Sequence, residues 1–109
     1  MDSFESPNPP DKPLVQVLLE PLLNDFQNWF QEYKTLLTSS QAGCLAASQR
    51  HELVEQIEHA QQEVSTARTL LLTTDGQAGV ETSMVMSWHQ LVLQCWQTAR
   101  QIRQSNETL

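Results

Sequence analysis

Three stretches of this chain repeat apolar residues at alternating intervals of four and three, and residues that stop a helix separate them. The first carries Val15, Leu19, Leu22, Phe26, Trp29, Tyr33 and Leu36; the second Leu53, Ile57, Ala60, Val64, Ala67 and Leu71; the third Val85, Trp88, Val92, Cys95, Ala99 and Ile102. That interval keeps one face of an α-helix apolar, and such a heptad seam is buried only when another helix covers it. Alternating β-branched and aromatic runs that would argue for strands are missing. The seams therefore predict an all-α fold: an antiparallel up-down-up three-helix bundle with heptad-type packing.

The breaks set the boundaries. TSSQAG (residues 38–43) ends the first segment and TTDGQAG (73–79), with its Asp-Gly pair, ends the second. Helices are expected over about 14–38, 46–73 and 82–104, forming a single domain over 13–104 between a flexible leader at 1–12 and a tail at 105–109. Ser48 is the expected N-cap of the second helix. Pro21, inside the first seam, predicts a kink or a separate first piece of helix.

Composition narrows the function classes. Thirteen acids against six bases give a net charge of −7, which opposes attraction to phosphate backbones, so nucleic acid is not an expected partner. Glu20, Asn24 and Asp25 interrupt the first apolar stretch, and His89 and Gln90 the last, which leaves no integral membrane segment. The early acids and prolines do not read as a secretory signal. Two cysteines outside any CxxC spacing fit reduced thiols, hence a cytoplasmic protein, at most peripheral to a membrane.

Two segments invite a chemical reading. SWHQLVLQCW (87–96) combines a histidine and a cysteine, but on a helix His89 and Cys95 are about 120° apart around the axis and roughly 9 Å apart along it. They cannot act as a base and nucleophile pair, and Cys95 shares the seam with Trp88, where a thiol is a small hydrophobe. HELVEQIEH (51–59) aligns His51, Glu55 and His59 on one face, yet the two imidazoles are about 12 Å apart and cannot share an ion. Gly-rich phosphate loops and GxSxG are also missing. The expectation is no catalytic residue, no cofactor and no metal, and thus no enzyme.

The surface carries the remaining signal. Met86, His89, Leu93 and Trp96 form a second stripe on the third helix, continued by Arg100 and Arg103, while Leu23, Phe30 and Leu37 flank the first seam. Either the two flanks cover each other, as wide apolar faces do in globular bundles, or they form a contact surface with Leu93 and Trp96 as anchors and the arginines as a polar rim. The residues assigned to partner contact are Leu23, Phe30, Met86, His89, Leu93, Trp96, Arg100 and Arg103.

PLLNDFQNWF (21–30) and SWHQLVLQCW (87–96) together resemble a family of small cyanobacterial proteins, domain of unknown function 2605. The resemblance rests on Pro21, Leu22, Leu23, Asp25, Phe26, Gln27, Trp29 and Phe30, then Trp88, His89, Leu91, Val92, Cys95 and Trp96. It implies a cyanobacterial cell and a small helical domain, and no activity, cofactor or catalytic residue. The functional expectation is a noncatalytic interaction module, an adaptor, assembly factor or homo-oligomer, docking a protein partner or a second copy. The alternatives are a small-ligand or metal-sensing regulator using His89 or the His51/Glu55/His59 face, and a peripheral membrane factor using Trp96, Arg100 and Arg103.

Overall fold

The structure is a computed structural model that describes residues 14–75 and 79–107. The leader expected at 1–12, residues 76–78 of the second break and the last two residues lie outside the described set, as do the side chains of Leu14 and Val15. Three helices, α1 (Leu14–Leu37), α2 (Ala47–Thr73) and α3 (Thr82–Glu107), make an up-down-up bundle in which α1 and α3 run parallel. Strands are absent among the described residues, and the fold is all-α.

The first helix is continuous through Pro21, which corrects the expected separate piece. Proline costs the helix one N–H donor to the carbonyl four residues earlier. Its ring is exposed, while Gln16 before it is buried, Leu19 half-buried, and Leu23 and Phe26 after it are buried, so burial on both sides of the proline holds the helix together.

The core explains the packing. Leu53, Ile57, Ala60, Val64, Ala67 and Leu71 of α2 are all buried, and so are Trp88, Cys95, Ala99 and Ile102 of α3. In α1 the buried apolar set is Leu23, Phe26, Phe30 and Leu37, while Leu19, Leu22, Tyr33 and Leu36 are half-buried and Trp29 is exposed. The α1 face is therefore turned toward what reads as its flank. One side of α1 meets α2, through Lys34 Nζ and Glu58 Oε2 at 2.9 Å and Gln27 Nε2 donating to the Gln61 carbonyl. The other meets α3, where Phe26 packs edge-on to Trp88 at 5.6 Å between ring centroids. A helix covered by two neighbours buries a wide arc centred between them. Each fully buried Leu, Ile or Phe contributes roughly 1.5–3 kcal/mol before entropy is counted.

The connections are more structured than breaker residues suggest. Ser40–Cys44 form a 3₁₀ helix, begun by Ser39 Oγ accepting from the Gln41 N–H and tied to α2 by Arg50 donating to the Ala42 carbonyl. Ala42 and Leu45 are buried there, closing one end of the core. Ser48 lies inside α2, and the N-cap position belongs to Ala46, without a side-chain bond, because the chain leaves the 3₁₀ turn extended at Leu45 and Ala46. At the other end Asp75 (φ 53°) and Gly79 (φ 63°) adopt the left-handed conformation that lets the chain reverse after α2. The third helix continues to Glu107, beyond the expected end at 104, since nothing in Gln104-Ser-Asn-Glu breaks a helix that Ile102 anchors in the core.

Candidate functional site

The α3 stripe faces solvent. Met86 is 58% exposed, Leu93 47% and Trp96 46%, and His89, Arg100 and Arg103 are exposed as well. Positions 82, 86, 89, 93, 96, 100 and 103 keep the four-three spacing, so α3 carries a second stripe, apolar at Met86, Leu93 and Trp96 and polar at the other positions, that no other part of the described chain covers. The Arg100 guanidinium lies 5.2 Å from the centre of the Trp96 ring, one turn away, close enough for a cation–π contact that limits the indole's freedom.

Leu23 and Phe30 do not belong to that surface. Both have no exposed area and stand in the core beside Phe26, with Phe30 stacked on Phe26 at 6.0 Å. The flank of α1 is thus buried while that of α3 is open, and the two do not cover each other. Trp29 (39% exposed) and Leu18 (64%) are the large apolar residues that α1 presents instead. Spacing alone hides this, because Trp29 fits the seam as well as Phe26 does; only the directions of both neighbours show which of the two turns outward.

Charge is distributed to match. On the α1 side that faces α3, Tyr33 is half-buried, and its phenol is pushed up by burial and by the nearby Cys95 and Glu32, with Arg103 pulling the other way. Asp25 and Glu32 lie exposed along that outer edge of α1, and Arg100 and Arg103 lie exposed further along α3, toward its C-terminal end. The open face therefore has an apolar centre, an acidic edge and a basic edge.

The residues with a chemical reading are dispersed. Burial pushes the Cys95 thiol up to about 12, far from a reactive thiolate. His89 is exposed on the stripe, turned away from Cys95. His51 pairs with Glu55 at 3.4 Å and His59 with Glu63 at 3.9 Å, with His51, Glu55 and His59 exposed and Glu63 half-buried. Among the described residues no three His, Cys, Asp or Glu side chains converge in a way that could hold a metal ion. Glu63 has a role that sequence reasoning missed: its Oε1 accepts from the buried Trp88 Nε1–H at 3.0 Å. The available signal was physical, since a seam tryptophan needs a partner for its N–H.

Two open grooves follow the α2/α3 boundary. One is lined by Glu52, Glu55, His59, Glu63 and Trp88; the other, of about 520 Å³, is more apolar, with Ala67, Leu70, Val80 and Met84 on its walls. No helix among the described residues is long and apolar enough to cross a membrane.

The chain belongs to the family described as protein of unknown function (DUF2605), whose pattern matches residues 9–104. Comparison with curated proteins gave no match, and comparison with solved structures gave none either.

Proposed function

We propose that this member of the DUF2605 family is a noncatalytic docking module that offers the outer stripe of α3, with the adjoining edge of α1, to a partner helix. The observation that carries the reading is the uncovered second seam, Met86, Leu93 and Trp96 at helical spacing with Arg100 resting on the indole. An amphipathic helix laid along such a stripe engages its anchors at matching intervals. Arg100 and Arg103 form the polar rim, and burial of Trp96 is the largest apolar gain available on this face.

Within this reading the protein works in the cytoplasm of a cyanobacterial cell. The exposed free thiol of Cys44 suits a reducing compartment. The net charge of −7 argues against docking on anionic lipid through Trp96 and the arginines.

Affinity capture from soluble and membrane fractions of a cyanobacterial lysate tests the proposal, with wild type beside a Leu93→Glu/Trp96→Ala variant of equal helicity. A defined partner, or untagged chain, held by the wild type and lost from the variant supports it. Equal recovery by both sinks it.

A small-ligand regulator is the second reading, favoured by the apolar groove of Ala67, Leu70, Val80 and Met84 between α2 and the start of α3. It predicts thermal stabilisation by an apolar metabolite that is lost when Leu70 or Met84 is changed to Glu, and is insensitive to Leu93→Glu.

A further inference from the structure

The open face is complementary to itself, and we propose that its occupant is a second copy of this chain, with the two α3 helices antiparallel and each seated in the α1/α3 groove of the other. This rests on the docking reading and names its partner.

Register carries the argument. Because α1 and α3 are parallel and Phe26 stands beside Trp88, Asp25 lies level with Ser87 and Trp29 level with Leu91. The outer seam has Leu93 at its middle position. An α3 from a second copy, antiparallel and centred on Leu93, brings its Arg100 level with Met86, about 1.5 Å along the axis from the level of Asp25. The same placement sets its Trp96 within one residue of the level of Trp29. Both matches come from a single choice of centre.

Direction agrees with register. A helix lying over the groove between α1 and α3 touches the α3 stripe and the outer edge of α1, where Asp25 and Trp29 are exposed. Two-fold symmetry repeats every contact, so the arrangement closes as a dimer and leaves no open end. Charge is complementary where apolar contact ends: Arg100 of each α3 meets Asp25 of the other α1. The dimer thereby covers Met86, Leu93, Trp96 and Trp29 together, four of the large apolar residues that α1 and α3 expose.

Charge reversal provides a test that only this register passes. Within one chain Arg100 and Asp25 are about 20 Å apart along the bundle and cannot pair. The mass of the purified full chain is measured by sedimentation equilibrium across micromolar concentrations. The expected result is a monomer–dimer equilibrium that Leu93→Glu abolishes at unchanged helicity. Arg100→Asp and Asp25→Arg each weaken dimerisation roughly tenfold or more, and the double variant restores it. Monomeric wild type at every concentration overturns the second copy as occupant, while the capture experiment above judges the docking reading separately. Reversals that weaken the dimer without mutual rescue, or a dimer indifferent to Leu93→Glu, overturn the register.

Discussion

The indole N–H of Trp88 donates to Glu63 Oε1 at 3.0 Å, across the boundary between α3 and α2. It joins the largest fully buried side chain of the bundle to a half-buried residue at the edge of its neighbour. The bond satisfies the one polar group that Trp88 takes into the core, and among the described residues no buried side-chain nitrogen or oxygen is left without a partner. Replacing Glu63 by Ala strands that N–H at a cost of about 1–3 kcal/mol, whereas Glu63→Gln keeps an acceptor. Urea unfolding should rank the variants wild type, Gln, Ala. Equal loss in both would mean that the carboxylate's charge, not its acceptor, matters.

Inner and outer seams differ sharply in what truncation costs. Phe30→Ala is expected to destabilise by about 3–5 kcal/mol and Leu23→Ala by about 2–5, because both empty a packed site. Met86→Ala and Leu93→Ala should stay within about 0.5 kcal/mol in a dilute monomer. Denaturant midpoints measured at low concentration give the comparison.

The two thiols should respond to alkylation in sequence. Cys44 is exposed and reacts in the native protein, while Cys95 is buried and reacts only on unfolding. Because the folded thiol of Cys95 titrates near 12 and that of the unfolded chain near 9, the unfolded state loses its proton first as pH rises. The stability contributed by the protonated, buried thiol is complete below about pH 9 and is lost between there and about 12. A Cys95→Ala variant should show a shallower fall in Tm with pH across that window than the wild type. A parallel fall would assign the alkaline sensitivity elsewhere, Tyr33 being the first place to look.

Gly79→Ala isolates a backbone cost. A Cβ at this position meets nothing within 4 Å, but the residue holds φ at +63°. The substitution should therefore cost about 1 kcal/mol through conformation alone. Chemical denaturation measures it, and a neutral result would mean that the turn relaxes freely.

The sequence made the fold legible because each seam records that a helix is covered. The α2 seam is a narrow stripe and is legible residue by residue. The α1 seam was not: its apolar arc is wide enough to include Leu22, Leu23, Phe26, Trp29, Phe30 and Tyr33, and which of these turn inward depends on where both neighbours stand. Hence Leu23 and Phe30, read as contact residues, belong to the core, and Trp29 faces solvent. The α3 stripe was legible as a surplus, two seams on one helix with a single bundle to fill. Pro21 and Ser48 misled for a common reason: their local preferences are worth less than the tertiary burial and chain path that override them.

Parallel α1 and α3 have a mechanical consequence. The described chain enters the bundle at Leu14 and leaves it at Glu107, at opposite ends and about 46 Å apart along the axis at 1.5 Å per residue. Anything joined at those two points is held apart by that length. Tension between them loads the contact of Phe26 with Trp88 in shear along the helix axes, so all the interlocked side chains resist at once instead of peeling one after another. The domain is built as a strut.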